Sequence, residues 1–93
     1  MFYHVSIHRP KPGKEPDLIA SMRRFGASFQ GAPGFISAHA LQDADQGVLM
    51  GLAIWDSREA WQASIHLARE AVANDPFDEW ESTAVEGFRL VDV

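Results

Sequence analysis

The sequence predicts an α+β fold in which one antiparallel β-sheet carries two helices on one face. Three observations predict it. Apolar residues alternate with period two over Phe2–His8 and Val48–Trp55, recur at helical spacing over Leu18–Phe29 and Trp61–Val72, and are split by turn chemistry at Asp43–Gly47. The order that follows is strand, helix, strand, strand, helix, strand.

The first strand, Phe2 to His8, sets Tyr3, Val5 and Ile7 on one face and Phe2, His4, Ser6 and His8 on the other. Pro10, Pro12 and Gly13 end it, because proline has no N–H for a ladder and glycine permits the turn. A helix is expected from Pro16 or Asp17 to Gln30, since Leu18, Met22, Phe25 and Phe29 make one narrow stripe. Gly31-Ala32-Pro33-Gly34 stops it.

Phe35 to Gln42 reads as the second strand and Val48 to Trp55 as the third, joined as a hairpin by Asp43-Ala44-Asp45-Gln46-Gly47. Ser57 is the expected N-cap of the second helix, although Ala60 leaves the capping box incomplete. That helix packs Trp61, Ile65, Ala68 and Val72, and turns His66 outward. Asp75-Pro76 is a second cap signal, opening a short helical turn with Phe77 and Trp80, and Val85 to Val93 closes the fold as the fourth strand.

This order is the ferredoxin-like β-α-β-β-α-β arrangement. Its helices cover one face of the sheet, yet neither face reads as polar. Tyr3, Val5, Ile7, Ile36, Ala38, Ala40, Val48, Met50, Leu52 and Ile54 form one set, and Phe35, Leu41, Leu49 and Trp55 interrupt the other. A sheet apolar on both sides needs cover on both sides, and a second copy packed sheet to sheet is the simplest cover. A homodimer is therefore expected.

Composition agrees. The 93 residues allow one domain, 1–93, near the lower limit for a self-sufficient core, and 46% of them are hydrophobic. A net charge of −5 with no basic stripe argues against nucleic acid and against anionic membrane surfaces. The absence of cysteine removes disulfides and thiolate chemistry. No apolar run reaches a membrane span and no leader pattern opens the sequence, so the expected location is cytoplasmic.

The run Ile54-Trp55-Asp56-Ser57-Arg58-Glu59-Ala60-Trp61, with Pro12-Gly13-Lys14 before the first helix and Pro33-Gly34-Phe35 before the second strand, resembles the antibiotic biosynthesis monooxygenase domain family, the dimeric α/β barrels. The resemblance covers essentially the whole chain. It implies a barrel closed by two copies, with the last strand at their interface. It also implies cofactor-independent oxygenation of a small aromatic or quinol-type molecule, or, alternatively, non-catalytic binding of a small apolar ligand in a stress or pathway-accessory role. Haem-degrading members use an asparagine on the first strand and a tryptophan and a histidine on the second helix. Aligned on Gly13 and Trp55-Asp56-Ser57, those places hold Ser6, Ser64 and Asn74, so no haem is expected.

Histidine is the natural general base at neutral pH, which makes His39 and His4 the candidate bases, with His8 less favoured near its strand end. If their strand faces coincide beneath the helices, His4, Ser6, Ser37 and His39 form a floor of imidazoles and hydroxyls, suited to a phenol whose anion meets dioxygen in a dry pocket. Phe25, Trp61, Ser64 and Trp80 are the remaining candidates for substrate contact, Trp80 as a lid or an interface plug. Arg89, between Phe88 and Leu90, is the candidate anion stabiliser. The plainer alternatives are half-buried strand histidines, a tryptophan that only packs, and an Arg89 paired with Glu86 or Asp92. No metal is expected, because His4 and His8 lie about 13 Å apart along a strand and no carboxylate shares those strand faces.

Overall fold

The computed structural model describes residues 1–93. Its elements are β1 (Phe2–His8), α1 (Glu15–Ala27), β2 (Phe35–Asp43), β3 (Val48–Trp55), α2 (Arg58–Ala71), α3 (Phe77–Trp80) and β4 (Glu86–Val91). The sheet order is β2-β3-β1-β4 with every pair antiparallel, the ferredoxin-like topology expected from the element order. No helix is long and apolar enough to cross a membrane.

Local chemistry explains most boundaries. Pro16 sits in the first turn of α1, where its missing N–H costs nothing, and Glu15 and Asp17 complement the helix dipole there. The helix ends at Ala27, sooner than its apolar stripe suggests. The amides of Phe29 and Gln30 reach back only three residues, to Gly26 and Ala27, tightening the last turn. Ser57 caps α2 by accepting from the Ala60 amide at 3.1 Å. Asp75 does not cap α3. Its carboxylate instead accepts from Ser21 Oγ at 2.6 Å and from Arg24 at 3.1 Å, tying the end of α2 to α1.

Gly34 shows why the Pro-Gly-Phe run opens β2. Its φ is +81°, and a Cβ there would stand 2.5 Å from Asp56 Oδ1 and 2.6 Å from the Ala60 Cβ. Only glycine lets the Asp56 amide bond the Gly34 carbonyl, which docks the start of α2 on β2.

The core lies between the helices and one sheet face. Phe2, Phe29, Ala53, Trp55, Trp61, Ile65 and Ala68 form it, with Leu18 and Leu49 also buried. Its rings meet at angles, Phe29 against Trp55 at 4.8 Å and 77°. The indole N–H groups of Trp55 and Trp61 are buried without partners, a cost of about 1–3 kcal/mol each that the aromatic packing offsets.

The assignment of β2 residues to faces needs correction. Phe35 pairs with Trp55, but Ser37, not Ile36, pairs with Ile54, so a bulge inserts one residue and reverses the parity beyond it. Ala38 and Ala40 therefore face the helices, while Ser37, His39 and Leu41 join Tyr3, Val5, Ile7, Met50, Leu52 and Ile54 on the open face. From β4, Phe88 and Leu90 stand opposite Val5 and Tyr3 on that face and are 42% and 46% exposed. On β2 the open face thus exchanges two alanines for Ser37, His39 and Leu41, while β4 adds Phe88 and Leu90 to it.

Candidate active site

A cavity of about 590 Å³ opens between α1 and the strands β2, β3 and β1. Met22, Phe25 and Gly26 of α1 line one side, Phe35 to Ala40 of β2 the other, and His4, Ser6, Gly51 and Ala53 the floor. Small residues create this space. Gly26 already approaches β2 so closely that a Cβ would lie 2.9 Å from that of Ala38, and glycine at 51 leaves the floor bare beside Ser6.

His4 is half-buried on this floor. Its ring lies 5.1 Å from Trp61 and 6.3 Å from Phe25, and its nitrogens form no hydrogen bond within the chain. Burial pushes the imidazole below its ordinary range, and the charges of Arg89 and Arg69 push it further. It is therefore neutral at neutral pH, with a free lone pair for an incoming hydroxyl. Because the folded value lies below the unfolded one, the unfolded chain takes up a proton first as pH falls through about 6.5. This contribution leaves stability intact above that pH and subtracts from it below. On acidification from neutral pH to about pH 5, wild-type protein should lose more melting temperature than His4→Gln. Equal losses would contradict the depressed imidazole.

Of the other candidates, Ser6 and Phe25 share the cavity with His4. Ser37 and His39 line the same cavity, at its β2 edge rather than on its floor. The bulge puts their side chains on the open face, where His39 is exposed and its Nε2 lies 3.0 Å from Ser37 Oγ. They reach the cavity only where β2 forms its rim. Trp61 is buried behind His4, stacked on Phe2 at 5.1 Å. Ser64 is buried on α2 and lines a separate, smaller pocket with Gly34 and Asp56. Trp80 packs edge-on against Phe77 at 5.9 Å, away from the cavity. Arg89 stands opposite His4 in the β1–β4 register, on the helix side, exposed and outside the cavity lining. It pairs with neither Glu86 nor Asp92, since Glu86 binds Arg9 at 2.6 Å and Asp92 takes the Tyr3 hydroxyl at 3.1 Å.

Glu81 joins the site without any mark in the sequence pattern. It is 7% exposed and its Oε2 lies 2.5 Å from Nδ1 of His8, itself 7% exposed, while His8 Nε2 lies 2.9 Å from Ser6 Oγ. Shared strand parity places Ser6 beside His8, but nothing local marks Glu81 as their partner. Groups of three or more His, Asp or Glu placed to hold one metal ion do not occur.

The family model described as antibiotic biosynthesis monooxygenase matches residues 1–74. Among solved structures, a Mycobacterium tuberculosis protein is similar over 99% of this chain and 94% of its own, with a TM-score of 0.82 and 18% identity. A Nitrosomonas europaea protein, described provisionally as an antibiotic biosynthesis monooxygenase, covers 100% of this chain and 99% of its own at a TM-score of 0.74 and 18% identity. A Chloroflexus aurantiacus protein described in the same way reaches 0.71 and 24% identity over 100% of this chain and 94% of its own. At these identities the likeness is one of fold. Among curated proteins none matches significantly.

Proposed function

This chain belongs to the antibiotic biosynthesis monooxygenase family and is monooxygenase-like, and from that premise we propose that it oxygenates a small phenolic or quinol-type aromatic molecule without metal or organic cofactor. The observation that carries the reading is the cavity with a neutral, unpartnered imidazole on its floor. Its walls of Met22 and Phe25 suit an aromatic ring, and its volume of about 590 Å³ falls within the range of small-molecule sites. A phenol bound with its hydroxyl toward His4 gives up the proton to the imidazole, and the electron-rich anion is what reacts with dioxygen. Conversion of an activated CH₂ to C=O consumes one dioxygen and releases one water: the carbon loses two protons and the departing oxygen takes up two. Oxygen uptake on hydroxy-anthrones and quinols, with no cofactor added, tests the reading.

The working form in this reading is a homodimer joined through the open face of the sheet, with β4 in the interface. The exposed Phe88 and Leu90 on that face support it, because a monomer would leave these two side chains in water. Light scattering at micromolar concentration should give twice 10.3 kDa for the wild type and a single chain mass for Leu90→Asp, which places a charge on the buried face. A wild-type mass of 10.3 kDa would contradict the dimer.

A further inference from the structure

We propose that Ser6, His8 and Glu81 form a proton relay from the cavity floor to a buried carboxylate, serving as the second acid–base group of the oxygenation. The inference rests on the proposed reading of the cavity and adds residues to it.

Geometry carries the assignment. With Glu81 ionised, His8 donates its Nδ1–H to Oε2 at 2.5 Å, which leaves Nε2 as the acceptor for the Ser6 hydroxyl at 2.9 Å. Glu81 Oε1 is held by the Arg9 amide at 3.1 Å, so the carboxylate is fixed. His8 and Glu81 are both buried, and Ser6 is the member of the three that lines the cavity. Its cross-strand neighbours are Gly51 on β3 and Gly87 on β4, so no side chain beside it on either strand covers the hydroxyl. A Cβ at position 51 would lie 2.7 Å from Ser6 Oγ.

A purely structural clip would not need this chain of groups. The segment after α3 is already fastened to the end of β1 by backbone bonds, Ser82 N to Arg9 O and Lys11 N to Trp80 O, each at 2.7 Å. Nor does the arrangement suit acyl transfer, despite the nitrogen usage it shares with hydrolase triads. β1 is paired on both sides around Ser6, so the ladders engage its amides and leave none for an oxyanion.

As a relay the step balances. A substrate O–H proton passes to Ser6 Oγ as the serine proton passes to His8 Nε2, leaving a substrate anion and an imidazolium whose charge Glu81 offsets. Reversal delivers a proton to the departing oxygen. Because the oxygenation removes two protons and returns two, a second group alongside His4 has a defined task.

The test uses 2-naphthol, a phenol that becomes strongly acidic when excited, bound to the full-length protein. Time-resolved emission reads the rate at which its proton leaves. In a His4→Gln background, where the other imidazole cannot act, the bound probe should still form naphtholate. Adding Ser6→Ala should slow that transfer by about 10²-fold with the probe still bound, and Ser6→Thr should restore it. Glu81→Gln, which touches no probe, should slow it too; if that variant does not fold, the two Ser6 variants decide. Transfer abolished by His4→Gln alone, or untouched by Ser6→Ala, overturns the relay and leaves the His4 reading standing. Failure of 2-naphthol to bind wild-type protein removes both.

Discussion

Glu81→Ala is expected to destabilise the protein by about 2–6 kcal/mol, the consequence of leaving two buried donors without their acceptor at about 1–3 kcal/mol each. Glu81 and His8 are each 7% exposed, and the carboxylate also holds the Arg9 amide, so its removal leaves an imidazole and an N–H without partners. At about 4–8 °C per kcal/mol for a domain of this size, the melting temperature should fall by roughly 10–40 °C. Melting should be compared at one protein concentration, because any self-association contributes to apparent stability. Arg9→Ala is the contrast. It removes an ion pair with Glu86 that is about half exposed on both sides, and should cost less than about 1 kcal/mol. Replacing both His8 and Glu81 by leucine should recover much of the loss, since the penalty lies in the unpaired group. A Glu81→Ala protein melting within a few degrees of wild type would show that the pair is not buried as described.

His4→Ala should reduce turnover by about 10²–10⁴-fold, the contribution typical of a positioned general base. The effect on stability should be modest, under about 2 kcal/mol, because the ring is half-buried and makes no hydrogen bond whose partner would be left unpaired. His39→Ala should change turnover little. Its imidazole stands on the opposite face of the sheet, bonded to Ser37, and meets the cavity only at the β2 rim, away from the floor where His4 lies. Sequence parity made the two histidines equivalent candidates, and the fold separates them.

How much of this was legible beforehand depended on whether the information was local. The limits of β1 and β3 follow from alternation alone, and the α1 stripe places Leu18 and Phe29 in the core, where both are fully buried. The capping role of Ser57 is equally local. The bulge at Phe35–Ser37 is not, because one extra residue in an edge strand leaves no mark on an already apolar run, yet it moves His39 and Ser37 to the other face. The early end of α1 reflects a tightened last turn that periodicity cannot register. Glu81 lies 73 residues from His8, and only the closing of β4 beside β1 brings the α3 segment back over the strand end. Strand parity places Ser6 on the His4 face, whereas its partnership with His8 and Glu81 depends on that tertiary return.

The most direct measurement is oxygen consumption by the purified protein, stripped of metal with a chelator, on a panel of hydroxy-anthrones and quinols. Wild-type protein should consume one dioxygen per molecule of carbonyl product formed, with no flavin, haem or metal added, and His4→Ala should fall by about 10²–10⁴-fold while still binding the same compounds. Binding across the panel without any protein-dependent oxygen consumption, or consumption unchanged by His4→Ala, would contradict the account and leave the cavity as a ligand site only.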